Sequence, residues 1–169
     1  ERLPRESTKQ FLSILESKQA KKLSELLGYS GDSAGGLMTT EFLAFKKGTA
    51  IAEIIKAIRE KTFKVEPAQF VYVVDDEQHL VASINFKRLM LAPPDDPVEK
   101  HTFPKTYYVN LNSSVKEVAY LMEKYKYYAI PVVDDHNVLK GIVTVDDVLS
   151  QVIAIAWRRL KKINITPKQ

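Results

Sequence analysis

The chain has 169 residues, of which 45% are hydrophobic, and this suits one compact domain or two small ones that share a core. It contains no cysteine, which excludes disulfides, thiol catalysis and zinc–thiolate sites. The net charge is +4, without the basic stripe and interleaved aromatics that would predict a nucleic-acid partner. The longest apolar run, residues 152–157, is far shorter than the roughly 20 residues of a membrane span, so we expect this piece to be soluble.

Residues 1–37 are predicted to be mainly helical. Apolar residues recur at helical spacing in two short runs before Gly28, which is placed to end the second run. Ser33 is predicted to cap a further short helix. Because two short helices have too little apolar face to be stable alone, the segment looks like the tail of a larger helical domain.

Residues 38–98 are predicted to form one unit of mixed helix and strand. Its predicted elements are a strand at 42–45, a helix at 50–61 capped by Thr49, a hairpin of strands at 70–74 and 80–84, and a helix at 85–91. Pro93 and Pro94 end that last helix, and residues 92–97 are predicted to be a linker.

Residues 99–150 are predicted to repeat this order. The predicted elements are a strand at 107–111, a helix at 114–126, a hairpin between 130 and 144, and a helix from 145 to about 162. Thr144 is placed to cap the last helix, and Asp146 and Asp147 lie in its first turn, where carboxylates suit the helix dipole. The last helix is longer than a repeat needs, so residues 151–169 are predicted to be a connecting helix with a basic tail.

An internal alignment decides the predicted fold. Residues 73–89 align with residues 132–148 without a gap, so that Val-Val-Asp-Asp recurs and Ala82 pairs with Gly141, Asn85 with Thr144. A unit of this size needs its twin to finish burying its apolar faces. We therefore predict an α/β (α+β) fold of two βαββα repeats with pseudo-twofold symmetry, preceded by a short helical segment and followed by a long helix.

Two such units, the second ending in GIVTVDD at residues 141–147, resemble a tandem pair of cystathionine-β-synthase (CBS) domains. With the DSAGGLMTTEF segment at 32–42 and the long last helix, the chain is similar to the cytosolic region of MgtE-type magnesium transporters. The resemblance implies a non-enzymatic regulatory module on the cytoplasmic side of the cell membrane, a homodimer formed through the CBS repeats, and a transmembrane domain in the full-length chain.

A different function stays open. The chain could be a soluble CBS-pair sensor of adenine nucleotides, or an accessory regulator of another metal transporter. No pair of nucleophile and base is evident in the sequence, so neither alternative is an enzyme.

The resemblance also implies a nucleotide site for ATP or AMP, whose ribose is held by a Ser or Thr followed three residues later by an acid. Thr144 and Asp147 have this pattern, whereas the first repeat has Asn85 and Arg88, whose guanidinium suits phosphate rather than ribose. The predicted nucleotide contacts are Thr144, Asp147, Thr106, Tyr108, Ala129, Pro131 and Arg88. Simple capping of the last helix is the alternative for Thr144 and Asp147.

Magnesium, the other ligand that the resemblance implies, prefers carboxylate oxygens and retained water. The candidate ligands are Asp147, Asp146, Asp95 and Asp96. Where MgtE relatives have carboxylates, this chain has Lys116, Lys126 and Ser150, and an ammonium about 4 Å from a divalent ion would cost several kcal/mol. We therefore expect a rearranged magnesium site or a divergent member that responds to another ligand.

The remaining chemistry-bearing residues have simpler expected roles. His79, His101 and His136 lie in or near predicted turns and are expected to be solvated. The tyrosines between residues 125 and 128 are expected to pack in the core or in a dimer, with stacking on an adenine as the alternative.

Overall fold

The computed structural model describes residues 28–61 and 69–163. The two helices predicted before Gly28 lie outside these ranges. After a short helix, α1 (Ala34–Leu37), the first repeat consists of β1 (Ala44–Lys46), α2 (Ile51–Lys61), β2 (Phe70–Val74), β3 (Leu80–Asn85) and α3 (Phe86–Leu91). Strand β1 pairs in parallel with β2, which pairs antiparallel with β3.

The second repeat follows a short 3₁₀ helix (Val98–His101) and has the same element order. It consists of β4 (Val109–Asn110), α4 (Val115–Tyr125), β5 (Ala129–Val133), β6 (Leu139–Thr144) and α5 (Val145–Ile163). Its strands pair as those of the first repeat do, and both hairpins have a register shift at the same aligned place, Val73/Val74 and Val132/Val133. The predicted fold of two βαββα repeats is confirmed.

The two hairpin turns join the repeats through reciprocal hydrogen bonds. The amide of Leu80 donates to the carbonyl of Asn137 at 2.9 Å, and the amide of Leu139, its aligned partner, donates to the carbonyl of Gln78 at 3.0 Å. Beneath them lies a shared apolar cluster formed by Tyr72, Val74, Leu80, Ala129, Val133, Leu139 and Ile142. Exchanged bonds of this kind are what an internal twofold axis produces.

A segment that precedes each repeat crosses to the other repeat. We call residues 38–42 and 102–106 the leading segments. Thr39 exchanges two backbone hydrogen bonds with Ile142 of β6, and the amide of Phe103 donates to the carbonyl of Ser83 in β3. Strands β1 and β4 each begin two residues later than predicted.

The linker between the repeats caps α2, which the sequence did not reveal. The first two amides of α2 donate to the carbonyls of Asp96 and Pro94. The hydroxyl of Thr49 instead donates to the carbonyl of Lys46 at 2.7 Å, so the prediction that Thr49 caps the helix was wrong. Helix amides left without an internal partner are satisfied here by carbonyls distant in sequence.

Candidate functional site

Each repeat ends where a strand passes directly into a helix, and we call these places the first junction (Asn85–Arg88) and the second junction (Thr144–Asp147). At the second junction the hydroxyl of Thr144 donates to Oδ2 of Asp147 at 2.6 Å, and the amide of Asp147 donates back at 3.3 Å. Thr144 is buried and Asp147 half-buried. The other carboxylate oxygen has no hydrogen-bond partner among the described residues, so it can accept a hydroxyl from a ligand.

At the first junction a strand also passes directly into a helix, but the third residue after the cap is the positively charged Arg88 instead of an aspartate. Oδ1 of Asn85 accepts the amide of Arg88 at 2.8 Å and caps α3. The Arg88 guanidinium turns back toward the start of the second leading segment. Its Nη1 donates to the carbonyl of Thr102 at 2.8 Å and to that of His101, the last residue of the 3₁₀ helix, at 3.4 Å. The guanidinium carbon of Arg88, Cζ, lies 4.6 Å from the centroid of the Phe103 ring.

The predicted nucleotide contacts are divided between the two junctions. Ala129 and Pro131 are buried in β5, in register with Thr144 and Ile142 of β6. Thr106 shares a hydroxyl–hydroxyl hydrogen bond of 3.0 Å with Ser83 of the first repeat. Thr106 therefore lies against the first repeat, which carries Arg88, and not beside Thr144 of the second repeat.

The remaining predicted contact, Tyr108, lies just before β4 and is half exposed.

A row of aromatic rings runs from the first junction into the second repeat. Phe103 lies 6.2 Å from Phe70, and Phe70 lies 5.7 Å from Tyr127, measured between ring centroids. Tyr127 is 6.2 Å from Tyr107, which stacks on Tyr125 at 3.7 Å. The row accounts for two of the tyrosines expected to pack, and it lies where the second leading segment meets the first repeat.

The buried Tyr72 lies close to this row. Burial, with a smaller effect of Tyr127, raises the pKa of the Tyr72 phenol well above its usual range, so its hydroxyl stays protonated.

The acidic residues predicted to bind magnesium lie in two separate places in the chain, Asp95 and Asp96 before the 3₁₀ helix and Asp146 and Asp147 in the first turn of α5. Asp96 accepts hydrogen bonds from His101 at 2.9 Å and Lys100 at 3.2 Å, and these bonds, His101 first, lower the pKa of its carboxyl. Asp95 and Asp146 are exposed. Within residues 28–61 and 69–163 no group of three acids or histidines could hold a metal ion. The magnesium ligands stay a prediction.

Two of the three histidines are paired, contrary to expectation. Besides the bond from His101 to Asp96, Nδ1 of His79 lies 2.8 Å from a carboxylate oxygen of Asp75 and 3.7 Å from one of Glu77. The hydrogen bond to Asp75 raises the pKa of His79, and Asp134 of the other repeat adds to the effect. His79 therefore carries more positive charge near neutral pH than a free histidine does.

An apolar groove of about 420 Å³ lies between α4 and α5. Its lining includes Met122, Tyr128, Leu149 and Val152, and Tyr128 is 60% exposed. Ile153 continues the exposed apolar surface along α5. None of the helices in the described ranges has the length and apolar character needed to cross a membrane.

Residues 101–154 match the sequence profile of the CBS domain. Together with the two βαββα repeats, this match defines the chain as a tandem pair of CBS domains. The chain is 35% identical over 150 residues to the magnesium transporter MgtE of Thermus thermophilus, and 31% identical over 157 residues to that of Bacillus subtilis. The region that the chain spans is therefore homologous to the corresponding third of the MgtE magnesium transporters.

The alignments cover 89% and 93% of this chain but only 33% and 35% of the two relatives, so the chain spans about a third of their length. Solved structures that share its fold include two that are also similar in sequence. The cytosolic domain of the Mg²⁺ channel MgtE in complex with ATP gives a TM-score of 0.81 at 34% identity, covering 84% of this chain and 57% of that one. The soluble part of a magnesium transporter gives 0.86 at 30% identity, covering 91% and 60%.

Proposed function

We propose that the chain is the ligand-sensing, gating module of an MgtE-like magnesium transporter, that it lies on the cytoplasmic side of the membrane, and that it catalyses no reaction. The observation that carries the proposal is the 31–35% sequence identity between this chain and MgtE proteins over about nine-tenths of the chain. One solved relative shows this region as a cytosolic domain. The transmembrane domain would be supplied by the rest of the full-length chain.

ATP or AMP would bind at the second junction. The solved relative binds ATP, and the half-exposed Asp147 carboxylate supplies the acceptor that a ribose hydroxyl needs. The hydrogen bond from Thr144 holds that carboxylate in one orientation. Ala129 and Pro131 would form the wall beside it.

Magnesium would bind through Asp146 and Asp147, whose carboxylates lie in the first turn of α5. Mg²⁺ usually keeps several waters and takes one or two carboxylates, so two acids suffice as direct ligands when water completes the shell. Asp95 is the remaining exposed candidate. Asp96 would first have to give up its bonds to His101 and Lys100.

The chain would act as a homodimer that joins through the apolar groove between α4 and α5. A second copy, related by a twofold axis, would cover the same groove on its partner. Ligand binding would favour one spacing of the two copies, and α5 would pass the change toward the membrane. Such a switch requires that the ligand bind the two arrangements with different affinity.

Thermal melting of the 169-residue chain tests the ligands separately. A ligand present at about 100 times its Kd stabilises by roughly 2.7 kcal/mol, which corresponds to about 5–10 °C in Tm for a chain of this size. We expect shifts of this order with MgCl₂ and with ATP. Asp147→Ala should abolish the ATP shift, whereas Asp76→Ala, in an exposed hairpin turn, should leave it unchanged.

The outcomes separate the candidate functions. A shift with Mg²⁺ supports a magnesium sensor. A shift with ATP or AMP alone, lost in Asp147→Ala, supports the soluble nucleotide sensor instead. If neither ligand shifts Tm, the sensing role is wrong and a purely structural role in dimerisation remains.

A further inference from the structure

The two junctions are built alike and differ in one chemical respect. Asn85 and Thr144 occupy aligned positions, and the side-chain oxygen of each accepts the amide three residues later. That third residue is Asp147 in one repeat and Arg88 in the other. A carboxylate accepts hydrogen bonds from hydroxyls, whereas a guanidinium has donors only. The first junction therefore cannot hold a ligand's hydroxyl groups as the second can.

Arg88 is also engaged by the protein itself. Its two backbone acceptors and the Phe103 ring all belong to the stretch 101–103, which runs from the 3₁₀ helix into the second leading segment. The amide of Phe103 is bonded in turn to Ser83 of β3. The side chain thus spans the space between α3 and the second leading segment.

On the outer side of the guanidinium a polar pocket of about 270 Å³ remains, lined by Arg88, Leu91, Ala92, Lys100, His101 and Thr102. On its inner side the described polar and aromatic side chains already have partners. The hydroxyl of Thr106 is bonded to that of Ser83, and Phe103 contacts Phe70, the ring that begins the row leading to Tyr127. At the second junction, by contrast, the Asp147 carboxylate bonds only Thr144 among the described residues.

We propose that Arg88 takes the place of a ligand's ribose at the first junction and so closes that position to nucleotides, and that the chain binds one nucleotide, at the second junction. This inference deepens the proposed function and rests on it. The contacts of Arg88 join α3 to the second leading segment whether or not a ligand is present. At the second junction, α5 and the first leading segment would be joined in the same way only when a ligand is bound.

Calorimetric titration with AMP tests the proposal by counting sites. The wild-type chain should bind one AMP per chain, and Asp147→Ala, which removes the acceptor, should bind none. Arg88→Asp restores an acceptor and removes the guanidinium contacts, so it should bind a second AMP. Arg88→Gln, which keeps a similar length and supplies an amide oxygen, is a second variant in case Arg88→Asp does not fold. Lys87→Asp, at the exposed neighbouring position of α3, is the control for charge and should bind one.

Every result decides the question. Two AMP molecules per wild-type chain, or a single site that survives Asp147→Ala and is lost in Arg88→Gln, would overturn the proposal. So would the absence of any new site in folded Arg88→Asp and Arg88→Gln. If the wild type binds no AMP, the nucleotide part of the proposed function fails. A site that then appears in Arg88→Asp alone would still support closure by Arg88.

Discussion

At the scale of single residues, the pair that His79 forms with Asp75 should make the stability of the first hairpin turn depend on pH. Its pKa is raised, chiefly by the hydrogen bond to Asp75, so the folded chain holds the proton more tightly than the unfolded chain does. This stabilisation is complete below the unfolded pKa of about 6.5 and is lost as the pH rises through the folded pKa. We expect Tm to fall between pH 6 and pH 8, and to fall less in His79→Gln.

His136 is the matched control for this prediction. It is exposed in the other hairpin turn, so His136→Gln should retain the wild-type dependence of Tm on pH. Melting curves at several pH values check both variants. Equal slopes for the wild type and His79→Gln would show that the pair with Asp75 does not contribute to stability.

The residues of the site differ in how far the sequence could predict them. Thr144 and Asp147 were identifiable because a cap and the acid three residues later are local in the chain, and the structure bonds them to each other. The position of Thr106 could not be predicted in this way, because it depends on which repeat the second leading segment contacts in the folded chain. The partners of Arg88 are backbone carbonyls, which any sequence provides, so no residue type pointed to them.

At the scale of elements, the alignment of the repeats predicted both hairpins and the last helix, since these follow from local periodicity and turn residues. It could not show that the leading segments cross the twofold axis or that the linker caps α2. Both features depend on backbone groups that meet only after the repeats have packed together. This is also why Thr49 was wrongly predicted as a cap.

The crossing of the first leading segment explains why Gly141 stands where the first repeat has Ala82. A Cβ built on Gly141 would lie 2.7 Å from the carbonyl oxygen of Thr39 and 2.8 Å from the sulfur of Met38. Thr39 cannot retreat without losing its paired bonds to Ile142. Overpacking of this kind costs about 1–3 kcal/mol, so we expect Gly141→Ala to lower Tm by roughly 2–12 °C.

A matched glycine shows whether the contact is responsible. A Cβ at Gly31 would meet nothing within 4 Å, so Gly31→Ala should change Tm little. Differential scanning calorimetry of the two variants makes the comparison. Equal Tm values would mean that the first leading segment yields to the added methyl group and that its pairing with β6 is loose.

At the scale of the whole molecule, the twofold axis gives the chain two equivalent junctions, and the sequence makes them unequal. One junction carries a carboxylate that is available to a ligand, and the other carries an arginine bonded to the protein's own backbone. Helix α5, which begins at the second junction, lines the apolar groove together with α4. A ligand at the second junction would therefore act directly on the helix that forms the dimer surface and continues past the repeat.

The proposed dimer can be tested by placing a charge in that groove. Val152 lines it on α5 and is 44% exposed, whereas Val81 on β3 is 46% exposed and does not line it. Burying a valine contributes about 1.5–3 kcal/mol, and a twofold interface contains the residue twice, so Val152→Asp should weaken dimerisation roughly 100-fold or more. Sedimentation equilibrium measures the dissociation constant, and circular dichroism confirms that each variant is folded. Val81→Asp should dimerise as the wild type does. A folded Val152→Asp variant with wild-type affinity would show that the copies meet through another surface, and α5 would then have to transmit the ligand signal without lying between them.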